Sequence, residues 1–257
     1  MTEAKYLDNV KERFSAIIFP VIILVLWQVL SLLGVLYEVI LPAPVKVLSA
    51  FIGIVKDGSL FIDISVSIQR VLVGTFFGML AGLGLGIIAG IVPVIERLLR
   101  PIVDVIRQIS LYAWIPLIVL WFGIGETSKD IIIARGVFIP LYINTVSGIK
   151  NIQKEYMELG KVLELSRWTF IKNIVLPSAA SGIFAGVRLA LSGAWTAVVA
   201  AEMLGGLTGL GYALLHAKEF LQNDKLIALM FVIGLLAAVT DFLLGQIEKR
   251  AFKWKST

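Results

Sequence analysis

The chain contains no cysteine and a single histidine, His216, among its 257 residues. The first absence excludes disulfides, thiolate metal sites and cysteine nucleophiles, although it does not fix the redox compartment. The second leaves any zinc site dependent on carboxylates, which is unfavourable chemistry for that ion. No G-x-x-x-x-G-K-[ST] segment occurs, so the chain carries no P-loop of its own and any nucleotide must be held by another protein. Charge is also scarce. Only 16% of the residues are Asp, Glu, Lys or Arg, against about 25% in a typical soluble domain.

What fills the sequence is apolar. Hydrophobic residues make up 58% of it and the mean hydropathy is +0.93, more apolar surface than one soluble core of this length could hide. A bilayer crossing takes ~20 mostly apolar residues. Runs of that kind predict spans at 16–34, 63–91, 101–122, 129–149, 180–203 and 226–247. The first is longer than the ~7–15-residue core of a signal peptide and no A-x-A-like site follows it, so it is read as a retained span. Residues 35–62 read as an outer loop with a short amphipathic helix, broken by Pro42 and Pro44 and ending in the turn Lys56-Asp57-Gly58-Ser59. The longest polar stretch, 150–176, lies between spans four and five. The expectation is one all-α polytopic domain over 1–257, without internal repeats.

Orientation follows from the basic residues, because cytoplasmic loops are enriched in Lys and Arg. With both termini inside, 15 of the 23 fall on the inner side, among them Lys5, Arg97, Arg107, Lys150, Lys172 and the tail from Lys249 to Lys255. Five fall outside: Lys46, Lys56, Lys129, Lys218 and Lys225. Arg70, Arg135 and Arg188 lie within or at the edges of spans, Arg70 near the outer headgroups. The scattered positive charge of +5 therefore reports membrane orientation and not a nucleic-acid patch.

Two patterns inside the spans stand out. Gly74, Gly78, Gly82, Gly86 and Gly90 recur every four residues, a smooth stripe against which another helix can pack closely. Tight packing within the protomer is the preferred reading, and a dimer or gating interface the alternative. Charged groups within the bilayer are costly and are partnered or functional. Arg188, Ser192, Trp195, Thr196 and Glu202 fall roughly on one helical side, suited to a pore; Arg135 and Asp241 suit either a pathway or an ion pair between helices. His216 falls in an outer loop and reads as a surface residue.

The loop from Glu155 to Pro177 has a helix-like segment, Tyr156 to Leu165, then Ser166-Arg167-Trp168 and a second amphipathic stretch. Ser166 suits a helix N-cap, and Pro177 the first turn of the next helix. Glu158-Leu159-Gly160, Ser166-Arg167-Trp168 and Ile174-Val175-Leu176-Pro177 together resemble the EAA loop of ABC importer permeases. Trp114 to Lys129, with its Ile115-Pro116-Leu117 and Phe122-Gly123-Ile124-Gly125, and Val198 to Leu204 continuing to Gly209-Leu210-Gly211-Tyr212, are similar to the branch that imports nitrate, taurine, alkanesulfonates and bicarbonate. Two departures stand out. Leu159 and Gly160 replace the usual alanines, and Glu164 stands where the family has a glycine. Gln108-Ile109-Ser110-Leu111-Tyr112-Ala113 replaces a proline-containing stretch.

The resemblance implies a type I importer permease of about six transmembrane helices in a bacterial inner membrane, with no catalytic role and no cofactor or metal on this chain. ATP and Mg would sit on ABC ATPase subunits that grip the loop through Glu158, Gly160, Lys161, Glu164, Ser166, Arg167 and Trp168. A second permease chain, preferably an identical copy but alternatively a different one, would complete a pathway involving Trp114, Pro116, Arg188, Ser192, Trp195, Thr196 and Glu202. An external solute-binding protein would deliver a small anion at the outer loops 35–62, 123–130 and 204–225. The competing expectations are a permease for a vitamin or its precursor, an ATP-independent secondary transporter and an intramembrane enzyme. The sequence shows neither the paired broken helices of the second nor the paired acids or Ser/His arrangement of the third.

Overall fold

The computed structural model describes residues 18–153, 155–156, 158 and 162–251, and among these it contains helices and turns but no strand. In chain order the helices are α1 (Ile18–Leu32), α2 (Pro44–Lys56), α3 (Ser59–Ile91), α4 (Pro93–Gln108), α5 (Leu111–Phe122) and α6 (Glu126–Lys150). After the loop come α7 (Leu176–Met203), α8 (Leu210–Glu219) and α9 (Asn223–Ala251). Four continuous helical stretches are long and apolar enough to cross a membrane: Ser59–Ile91, Glu126–Lys150, Trp168–Met203 and Asn223–Arg250.

The chain divides into two compact units. The first runs to Phe61 and includes Ala213–Val232. Here Pro44 occupies the start of α2, where its missing N–H costs nothing, and Gly58, at φ +74°, makes the turn into α3. The Val45 amide donates to Gln28 Oε1 at 3.3 Å and the Asn223 side-chain amide donates to the Val39 carbonyl. His216 lies on α8, its ring 4.5 Å from that of Phe220.

The second unit holds Ile62–Tyr212 and continues from Ile233, and α6 is its axis. The glycine stripe of α3 lies along it. A Cβ added at Gly74 would meet Ile133, at Gly78 it would meet Ala134 and Val137, at Gly86 Thr145 and at Gly90 Ile149. Both series rise together, so α3 and α6 run parallel at backbone contact, the intraprotomer packing preferred from the sequence. On another side α7 runs antiparallel to α6. Gly193 sits against Gly136, Gly186 against Asn144, and Gly182 against Gly148, while Ala190, Ala194 and Ala197 are fully buried. Small residues on both helices replace the hydrophobic drive that lipid cannot supply.

These directions bring 63, 126 and 203 to one end of the unit and 91, 150 and 176 to the other, as the expected topology requires. Two expectations need correction. The stretch 101–122 is not one straight span, because α4 and α5 meet at 103°. Arg135 on α6 explains the break: its Nη2 donates to the carbonyls of Ile106 and Ile109, both at 2.8 Å, satisfying acceptors that the end of α4 leaves open. Pro177 stands in the first turn of α7, as expected, but the chain is already helical before it. The path is helical from Arg167 onward, and a wide π turn at Ile171–Val175 directly precedes the proline. Accordingly the polar connection contracts from 150–176 to 151–166, and α1 is described only from Ile18.

Candidate functional site

At the end of the second unit farthest from the 151–166 loop, a buried polar network joins three helices and a glycine loop. Asp63, Ser67 and Arg70 stand on α3 at helical spacing, on the same face that becomes the glycine stripe one turn later. Arg70 makes a two-pronged contact with Glu126 at the start of α6, Nε to Oε2 at 2.7 Å and Nη2 to Oε1 at 2.8 Å. Its Nη1 donates to Glu202 Oε1 and to the Thr208 carbonyl, each at 2.8 Å. Glu202 at the end of α7 is wholly buried and fully engaged: Ser67 Oγ donates to it at 2.8 Å and the Gly211 amide at 2.8 Å. Lys129 adds an ion pair to Glu126 at 2.8 Å. Arg70 answers both Glu126 and Glu202 and Lys129 adds a second cation, so the buried Glu202 carboxylate is paired, as a buried charge requires.

The network folds the loop after α7. The Gly209 amide donates to Asp63 at 2.9 Å and the Leu210 amide donates to Ser67 Oγ at 2.9 Å. Gly209 has φ +107°, and a Cβ there would fall on the Glu202 carboxylate. Only glycine meets both demands. The sequence reading placed Arg70 near the headgroups and left out Ser67 and Glu126. The structure instead makes Arg70 the centre of the cluster, 6% exposed. The available signal was a basic residue in register with the glycine stripe.

The five residues expected on one side of α7 separate. Ser192 and Thr196 are exposed, in line with Ala185 and Leu189. Trp195 is buried and its Nε1 donates to Thr240 at 3.1 Å, and Glu202 belongs to the network above. Arg188 is held by α9, with Nη2 2.7 Å from Asp241 and Nη1 3.3 Å from Glu248. Asp241 therefore pairs with Arg188 and not with Arg135. Pro116 is exposed on α5. The Arg135 guanidinium lies 5.2 Å over the Trp114 ring, a cation–π contact.

In the polar loop, Gly160 and Lys161 lie outside the described residues, as does the side chain of Arg167. Glu158 is exposed. Ser166 caps the helix that follows, accepting from the Thr169 amide at 3.3 Å, the bond expected of an N-cap serine. Glu164, also exposed, has φ +47°, the left-handed region that favours glycine. A non-glycine residue adopts that conformation at a cost of roughly 1–2 kcal/mol. Trp168 is 73% exposed, Val162 79% and Leu163 56%. Bulky apolar side chains are thus exposed on and beside a polar connection.

The fold and this arrangement define a multi-pass helical membrane protein. The chain belongs to the family of binding-protein-dependent transport system inner membrane components, whose model matches residues 82–253. A Bacillus subtilis protein named as an aliphatic sulfonates transport permease is 35% identical over 243 residues, covering 95% of this chain and 88% of that protein. The taurine transport system permease protein of Escherichia coli is 31% identical over 238 residues, covering 91% and 86%. A solved structure of the MetNI methionine ABC transporter in inward-facing conformations superposes with a TM-score of 0.66 at 17% identity, over 75% of this chain and 95% of that one. The fold is thus that of ABC importer permeases, and the chain is a transport permease subunit of an inner membrane.

Proposed function

We propose that this chain forms one half of the translocation pathway of a bacterial ATP-driven importer for small sulfonates. An ABC ATPase pair holds ATP and Mg, an external binding protein delivers the substrate, and a second permease chain, an identical copy by preference, completes the pathway. The observation that carries this reading is the exposed Val162, Leu163 and Trp168 on the loop between α6 and α7, a patch that needs a soluble partner. Aromatic anchors of this kind dominate binding at protein interfaces. Together with Glu158, Gly160, Lys161, Glu164, Ser166 and Arg167 they make the ATPase-docking surface. Helices α6 and α7 leave the loop directly, so a push on it moves both walls of the second unit. Ser192 and Thr196 face the pathway, with Trp114 and Pro116 on α5 and Arg188 at its border; Trp195 and Glu202 support it from behind. The sulfonate class rests on the two transport relatives.

Arg167→Glu tests the docking. The expected result is a chain present at its normal level in the membrane, an ATPase lost during purification in mild detergent, and ethanesulfonate uptake at least tenfold lower. Normal uptake with the ATPase retained would remove Arg167 from the interface.

A further inference from the structure

Arg70, Lys129 and Arg188 each face a carboxylate: Arg70 bonds Glu126 and Glu202, Lys129 bonds Glu126, and Arg188 bonds Asp241 and Glu248. Arg135 does not. It stands on α6 about 13.5 Å along the helix from Glu126, well inside an apolar layer about 30 Å thick, and among the described residues no carboxylate bonds it. Its Nη2 is engaged by the Ile106 and Ile109 carbonyls, where the end of α4 contributes roughly half a negative charge. The rest of the guanidinium charge is unanswered. Its Nε is buried without a hydrogen-bond partner, and so is the indole Nε1 of Trp114, over whose ring the guanidinium lies. Beside this pair a cavity of about 360 Å³ opens between α3, α5 and α6. Arg135 is the one charged residue among its described lining, and Phe77, Ala81, Ile118 and Phe138 give it apolar walls.

We infer that this cavity selects linear alkanesulfonates, with the sulfonate on Arg135 and the alkyl chain against the apolar walls. The inference rests on the sulfonate reading given above and adds which sulfonates the permease itself prefers. A guanidinium cannot shed its proton, and a charge within the bilayer is costly without a partner, so the missing partner is an anion. A sulfonate offers acceptors only and meets the N–H groups that Arg135 keeps free. The volume lies in the range of small-ligand sites, about 300–1,000 Å³. Nitrate would leave the apolar space unfilled, and taurine would bring an ammonium group out of water beside another cation. A linear alkanesulfonate matches both halves of the cavity. Because α4 already offsets part of the Arg135 charge, the hold on the anion stays weak enough for release, as transport requires.

Ala81 is exposed on the cavity wall, and Ala81→Leu adds bulk in the space assigned to the alkyl chain. In cells, the ratio of butanesulfonate to ethanesulfonate uptake is expected to fall at least threefold in this variant relative to the unaltered protein. A smaller change overturns the site. Delivery by the binding protein is the same in both, so the change in ratio reads this chain. Uptake by the unaltered protein reads the sulfonate assignment: if no sulfonate enters, that reading fails and this one with it, whereas entry with an unchanged ratio removes the site alone. The chain has no cysteine, so Ala81→Cys in the purified whole transporter gives a second measurement that needs no uptake. It is treated with 2-sulfonatoethyl methanethiosulfonate, and modification is read as the mass shift of this chain. Excess butanesulfonate is expected to slow the reaction threefold or more, and an equal concentration of taurine to slow it less. Protection by butanesulfonate below threefold, the result of a groove that holds only lipid, or protection as strong by taurine, overturns the site. Should Ala81→Leu be missing from the membrane, the thiol variant decides.

Discussion

Arg70→Leu is expected to destabilise the purified protein by about 3–5 kcal/mol, the usual cost of removing one partner of a buried ion pair. The reason is what remains. Glu202 is fully buried, and without the guanidinium its charge has only the Ser67 hydroxyl and the Gly211 amide to answer it. Glu126 suffers less, because its side chain is 61% exposed and Lys129 still bonds it at 2.8 Å. The loop through Thr208 also loses the bond that Arg70 donates to its carbonyl. Thermal unfolding in detergent should shift down by roughly 10 °C. The double variant Arg70→Met/Glu202→Met separates charge from packing: replacing a whole buried pair with apolar groups is often neutral, so most of the lost stability should return. Equal instability of the single and double variants would show that the pair is not what holds this end together.

Gly78→Leu should fail for a different reason. The first atom of any side chain there would lie 2.6 Å from the Ala134 carbonyl oxygen and 2.7 Å from Val137 Cβ, and neither is the flexible tip of a side chain. Helices α3 and α6 would have to separate, a strain of roughly 1–3 kcal/mol or more that the neighbouring glycine contacts would share. Gly84, on the same helix, has nothing within 4 Å of its would-be Cβ. Gly84→Leu should therefore express, fold and transport normally. Similar behaviour of the two variants in thermal unfolding would mean that the α3–α6 contact is not the close approach described.

The contrast between those positions shows what the sequence made legible. Five glycines at a period of four residues need no partner to be recognised, because the stripe is local to one helix, and the partner face followed once α6 was aligned. Ser166 as a cap was equally local. Arg70 was not, since Glu126 and Glu202 lie 56 and 132 positions away, and a lone arginine near the end of an apolar run reads by default as a headgroup contact. The break between α4 and α5 was hidden in the same way. It is satisfied by Arg135, 26 and 29 positions beyond the carbonyls it serves. Pro177 was legible as a first-turn residue of α7, whereas the π turn at Ile171–Val175 that precedes α7 left no mark in the residue pattern. At Glu164 the residue type gave no sign of the backbone, because a glutamate there takes the left-handed φ of +47° that favours glycine.

The most direct test is to extract the full-length chain from its native membrane in mild detergent, purify it, and identify by mass spectrometry everything that remains bound. Recovery of an ATPase carrying G-x-x-x-x-G-K-[ST] is the expected result, and peptides of any second permease sequence would decide between identical and different partners. A chain that repeatedly emerges folded and alone, with Trp168 and its neighbours uncovered, would contradict the importer assignment.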